Sequence, residues 1–107
     1  MTVIGGAMII IWGSVNTTHE NRDAALALSH EHVRRSREEP GCLSHGAYVD
    51  SEDPNRIVFF EQWQDMDAVQ VHFKVPASGA FVAALGKLAT APPTLELYDA
   101  TPLTRVS

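Results

Sequence analysis

The stretch EPGCLSHGAYVDSEDPNRIVFFEQW, from Glu39 to Trp63, decides the fold. Two runs of strand-forming residues, Cys42 to Asp50 and Arg56 to Trp63, flank the segment SEDPN. Asp53 is suited to open a type I turn, Pro54 to fix its first central φ, and Asn55 to occupy the second central position. An antiparallel hairpin is therefore expected, and Pro40-Gly41 ahead of it stops the preceding helix. The second strand ends in Glu61, Gln62 and Trp63, and a helical segment carrying His72 follows. A strand that finishes in a carboxylate and an indole is either the wet end of a sheet or one wall of a pocket.

Working outward, Met8 to Val15 is rich in β-branched residues and apolar on both faces, as in a strand covered on two sides. Thr17 stands three residues before Glu20, the spacing of a capping box, and a helix is expected from about Thr18 to Glu38. Ala25, Leu28, His32 and Ser36 form its apolar stripe, with Leu26 and Val33 beside it. After the hairpin, Asp65 is a plausible N-cap for a helix carrying Val69, His72 and Phe73. Pro76 breaks that helix, and Ser78 can cap another in which Phe81, Ala84, Leu85 and Leu88 share one side. Leu95 to Ala100 reads as a last strand.

The resulting order, βαββαβ with a broken second helix, is the split βαβ or ferredoxin-like α+β arrangement, a four-stranded antiparallel sheet with helices on one face. The bare face of such a sheet, apolar along its first strand, calls for a second copy of the chain. A twofold homodimer packed sheet to sheet is the economical solution.

Composition excludes several functions. The 107 residues are expected to form one domain, 1–107, and 45% hydrophobic residues suffice for a core. The net charge of −5, with no basic run, argues against nucleic acid or an anionic membrane as partner. The single cysteine, Cys42, cannot form an internal disulfide and fits a reducing cytoplasm. The apolar N-terminus MTVIGGAMIIIWG is shorter than the roughly 20 residues a spanning helix needs and lacks the basic start of a secretory signal. No HExxH, CxxC or phosphate-cradling glycine loop is present.

Alternation puts Ile57, Phe59, Glu61 and Trp63 on one face of the third strand. On the second strand Cys42, Ser44, Gly46 and Tyr48 share a face, against Leu43, His45, Ala47 and Val49. His45 is assigned to the dimer side. His30 and His32 are two apart on a helix, so they point away from each other and cannot chelate one metal together.

The ordered pieces Glu39-Pro40-Gly41-Cys42, Glu61-Gln62-Trp63 and His72-Phe73, set in a pattern that runs nearly the whole chain, resemble the antibiotic biosynthesis monooxygenase family of dimeric α+β barrel proteins. The resemblance implies a pocket between sheet and helices in each subunit of a homodimer. Several members of that family oxidise phenols or hydroquinones with molecular oxygen and no metal, flavin or haem, so no cofactor is expected. On that template Glu61 and Trp63 face the pocket, Tyr48 joins them from the second strand, and His72 from the helix. His72 is the candidate base or proton shuttle, being the side-chain type that titrates nearest neutrality. Trp63 is suited to stack on an aromatic substrate and donate a hydrogen bond, with Phe59 and Phe73 as apolar wall.

Each residue also has a plainer reading: His72 as a hydrogen-bonded core residue, Trp63 and Tyr48 as large core side chains, Glu61 as partner of a nearby cation. Two departures narrow the resemblance. The polyketide-tailoring branch places an Asn four residues before the Trp and a Tyr six after it, where this chain has Phe59 and Val69; anthrone-type oxidation is not expected. The haem-degrading branch needs an Asn within the first strand, whereas Asn16 falls just beyond it. The reading is a cofactor-independent monooxygenase acting on a small phenol or hydroquinone. Its alternative is a non-oxidative isomerase or ligand-binding protein of the same fold.

Overall fold

The computed structural model describes residues 7–105. The elements run β1 (Met8–Asn16), α1 (Arg22–Ser36), β2 (Cys42–Asp50), β3 (Asp53–Trp63), α2 (Met66–Lys74), α3 (Pro76–Leu88) and β4 (Thr94–Ala100). The strands make one antiparallel sheet in the order β2-β3-β1-β4, the ferredoxin-like α+β arrangement. Residues 1–6, the start of the apolar N-terminal stretch, and 106–107, the end of the expected domain, lie outside the described residues.

The position of β1 explains its composition. Paired on both edges, it buries Ile11 and Val15 beneath the helices and turns Ile10 and Trp12 to the other face. Helix α1 reaches the sheet with small side chains: Ala25, Ser29 and Ser36 are fully buried along with His32 and Val33. The Ser29 and Ser36 hydroxyls each donate to the carbonyl four residues back at 2.7 Å, which satisfies them without a partner in the core.

Four local expectations are corrected. Asn16, expected just beyond the first strand, is the last residue of β1 and pairs with Arg56. The Thr17–Glu20 capping box does not form, and α1 starts later than Thr18. Thr17 bridges to Ala89 and its hydroxyl donates to the Asn55 carbonyl at 3.1 Å, so tertiary bonding claims the side chain that would have capped the helix. The hairpin is tighter than SEDPN suggested: Ser51 and Glu52 form the turn, Asp50 pairs with Asp53, and Asp53, Pro54 and Asn55 belong to β3. The Asp53 carboxylate still accepts from the Asn55 N–H at 3.0 Å, but within an irregular strand start. Pro76 breaks the helical run and also begins α3 at its first turn, with Val75 as N-cap, so Ser78 is helix interior. The Asp65 cap forms as expected, accepting from the Ala68 N–H at 2.9 Å.

Helices α2 and α3 meet at a bend of 70°, and no single helix among the described residues is long and apolar enough to cross a membrane. Between them the helices and sheet enclose two apolar clusters. One holds Val15, Ala25, Ile57, Phe59, Phe81 and Leu85, the other Ile11, Trp63 and Val69. Along β3 the order is Ile57, Phe59, Glu61, Trp63, so Glu61 falls between the two clusters. The outer face of the sheet stays open, with Trp12 41% and Tyr48 57% exposed and Trp12 edge-on to Phe60 at 6.4 Å.

Gly41 links α1 to β2 with a φ of +83°, and a Cβ there would lie 2.6 Å from Ala68 Cβ on α2. Gly41→Ala is expected to cost at least about 2 kcal/mol, from the left-handed backbone and the collision together. Gly86→Ala, on open helix surface, is expected to stabilise by about 0.5–1 kcal/mol. Urea denaturation midpoints should therefore move in opposite directions.

Candidate functional site

Between the two apolar clusters lies a buried polar seam. Its residues come from four elements: His32 on α1, His45 on β2, Glu61 on β3 and His72 on α2, all of them buried. His45 is paired directly across from Glu61, so the two share the inward face of the sheet. A bulge at Leu43 lies just beyond: Cys42 pairs with Trp63 and Ser44 with Gln62, which turns Cys42 inward and leaves Leu43 exposed.

Glu61 is the hub. Its Oε1 accepts the Trp63 indole N–H at 2.9 Å and lies 3.1 Å from His45 Nε2. The imidazole contact has the length of a hydrogen bond without its direction, because neither ring nitrogen of His45 has a hydrogen-bond partner. Burial alone would raise the Glu61 carboxyl, but His45, the Trp63 N–H and His72 together hold it below its ordinary value. It is therefore a buried carboxylate. His72 is held by Glu39, whose Oε1 is 2.8 Å from Nδ1, and its ring leans on Trp63 at 4.6 Å. His32 stacks flat on Phe81 at 4.1 Å, with His45 and His72 each 5.3 Å away. Its pKa is lowered to about 3, first by burial and then by the neighbouring His45 and His72, with Arg35 adding to the effect.

The seam opens on a cavity of about 430 Å³ between sheet and helices, a size suited to a small molecule. His32, Glu61 and His72 form its polar side; Phe59, Phe73, Phe81, Leu85 and Leu95 supply apolar wall. Of the residues expected at a pocket, Glu61, His72, Phe59 and Phe73 line this cavity. Trp63 and Tyr48 do not. Trp63 is 0% exposed behind the cavity wall, its indole N–H donating to Glu61 and its ring against His72. Tyr48 points to the opposite face, folded over Gly46. The assignment of His45 to the outer face is likewise corrected: it is 3% exposed and points inward.

Glu39, His32 and His45 are the functional candidates that motif reading passed over. For His45 the signal was present. Pairing the predicted strands across SEDPN sets Val49 against Ile57 and hence His45 against Glu61, and directly paired residues lie on one face. For Glu39 and His32 no sequence signal existed, because their partners arrive from distant elements.

Unfolded, His32 takes up a proton below about pH 6.5; folded, it resists until about pH 3. The unfolded chain thus binds more protons within that window. Stability is whole above pH 6.5 and falls as the pH drops through it, by on the order of 4 kcal/mol. Chemical denaturation across this range, in chelator, should show that slope, and His32→Phe should remove most of it.

Residues 8–84 match the antibiotic biosynthesis monooxygenase family. A crystal structure of an antibiotic biosynthesis monooxygenase is 30% identical, with a TM-score of 0.81 over 88% of this chain and 99% of that one. Rv0793 from Mycobacterium tuberculosis shares the fold at 24% identity, with a TM-score of 0.81 over 94% of this chain and 99% of its own. A conserved protein from Bacteroides thetaiotaomicron VPI-5482, described as a possible oxidoreductase, does so at 23% identity and a TM-score of 0.83, covering 89% and 99%. The uncharacterized protein sll1783 of Synechocystis is 31% identical over 90 residues, which are 84% of this chain and 61% of that protein. The chain thus spans about three fifths of the length of that curated relative. By the family match and the 30% identical structure, the chain belongs to the antibiotic biosynthesis monooxygenase family.

Proposed function

We propose that the chain is an oxidoreductase that uses molecular oxygen on a small phenol or hydroquinone, and that it works as a homodimer in the cytoplasm. The observation that carries the reading is the His72–Glu39 pair on the polar side of an otherwise apolar cavity. With Nδ1 engaged by Glu39 at 2.8 Å, His72 has Nε2 left for a bound molecule. A phenol whose hydroxyl meets Nε2 gives up its proton there, and the phenolate reduces oxygen far more readily than the phenol does. One oxygen atom ends on the ring carbon; the other leaves as water with the two hydrogens the substrate loses. Glu39 fixes the tautomer and stabilises the imidazolium that forms. The apolar walls keep water from the intermediate. His72 is thus the catalytic residue of this scheme, and Trp63, which donates to Glu61 and packs against His72, is a positioning residue.

The homodimer reading rests on the open outer face, where Trp12, Phe60 and Tyr48 stand without helices over them. Sheet-to-sheet packing against a second copy buries them.

With a panel of hydroquinones in an oxygen electrode, the wild type should consume oxygen. His72→Ala should lower kcat by at least about 100-fold and Glu39→Gln by about 10-fold, with melting curves confirming folded variants. Uptake that His72→Ala leaves unchanged would remove His72 as the base. Turnover or binding of such compounds with no oxygen consumed would favour an isomerase or binding protein.

Light scattering of the wild type should give twice the chain mass at micromolar concentration, and Trp12→Glu should shift it toward the monomer. A monomeric wild type would sink the dimer reading.

A further inference from the structure

We propose that His32, His45 and His72 form a binding site for one divalent first-row transition-metal ion, with its open coordination position facing the cavity. One ligand nitrogen from each ring lies within 4.8 Å of the others, and all three side chains are buried. They come from α1, β2 and α2, three elements packed around one sheet, so the cluster is set by the fold rather than by a flexible loop.

The strongest indication is His45. It is 3% exposed, yet its Nδ1 has no partner and its Nε2 only the misaligned Glu61 carboxylate at 3.1 Å. An unsatisfied buried polar group costs about 1–3 kcal/mol, and such groups in native proteins call for an explanation. An ion held by one of these nitrogens supplies the missing partner. The surroundings fit as well. Metal-bound histidines usually donate their second N–H to a carboxylate or carbonyl, and Glu39 stands 2.8 Å from His72 Nδ1 in that role, leaving Nε2 as ligand. The Glu61 carboxylate, 3.1 Å from His45 Nε2, brings negative charge to the cluster and is near enough to hold an ion-bound water.

The Arg35 guanidinium opposes the site, 3.5 Å from His32 Nδ1, and its charge has to be offset by Glu39 and Glu61. That contact is at the outer limit of a hydrogen bond, and His32 can turn from it. Nitrogens bound at 2.0–2.1 Å in a tetrahedral site lie about 3.3 Å apart, so the rings must close on the ion by up to about 1.5 Å. Three imidazole ligands select zinc, cobalt, nickel, copper or iron over magnesium and calcium. His32 and His72 line the cavity, so the fourth position opens toward a bound molecule, the pattern of a catalytic rather than a structural site.

The assignment goes beyond the oxygenase reading and does not rest on it. Both use the Nε2 lone pair of His72. An ion there takes over the task of ionising a phenol, because a metal that binds the oxygen lowers its pKa directly.

The test is cobalt binding to chelator-treated, full-length protein, followed by visible absorption and by the metal content after gel filtration. One Co²⁺ per chain is expected, with the intense absorption of a four-coordinate site, and excess Zn²⁺ should erase the bands and raise the melting temperature. His45→Ala and, separately, His32→Ala should each weaken binding by at least about 100-fold, and Glu39→Gln by about 10-fold. His30→Ala, exposed on α1, should leave it unchanged. Failure of the wild type to retain stoichiometric cobalt overturns the proposal whatever the variants do. So does binding that survives both His45→Ala and His32→Ala.

Discussion

The structure turns on a carboxylate placed where a hydrophobic side chain is normally found. Glu61 occupies the inward face of β3 between Phe59 and Trp63, at a position pairing and alternation reserve for the core. A buried carboxylate without partners is too costly to persist, so the neighbouring elements must bring polar groups to it. Trp63 brings an indole N–H from the same strand and His45 an imidazole from the strand beside it; His72 adds its ring from α2. The two apolar clusters on either side follow from this. Phobic packing continues along β3 in both directions, but it is interrupted where Glu61 has to be accommodated.

The interruption is what gives the fold a site. An unbroken core would leave no polar wall in the cavity, only the aromatic and aliphatic side chains of Phe59, Phe81 and Leu85. The seam also fixes a division of labour. Trp63 and His45 stand buried behind the wall, while His32, Glu61 and His72 form the wall itself. Lowered proton affinity at Glu61 and His32 leaves a negative charge near the neutral imidazole of His32, an arrangement suited to moving a proton or holding a cation.

Much of this was legible from the residues, and the failures have specific causes. Strand β2 and the inward set Ile57, Phe59, Glu61 and Trp63 follow from alternation, since strand periodicity is local and rigid. The Asp65 cap was readable because its partner lies three residues away. Thr17 was misread because a distant partner, Asn55, outcompeted the local one. Tyr48 and His45 lie on the faces set by the pairing register of the hairpin, the opposite of those expected for them. The register depended only on the two strands and their connection, and it held even though the turn itself proved tighter. His32 illustrates the remaining limit. Its neighbours His45, His72 and Phe81 meet it only through the packing of α1 on the sheet and on α3, which no spacing rule conveys.

Strand β4 differs from the rest of the sheet in one respect with a longer reach. It pairs through its backbone along one edge of β1, yet most of its side chains, including Leu95 and Leu97, remain exposed. Side-chain replacement there costs little stability, because exposed positions away from special features tolerate most substitutions. Leu95 nonetheless borders the cavity, as does the exposed Val82 of α3. The wall facing Glu61 is therefore free to drift over generations while the seam cannot. Leu95 and Val82 are thus places where the cavity's apolar wall can be resized without disturbing the buried polar seam.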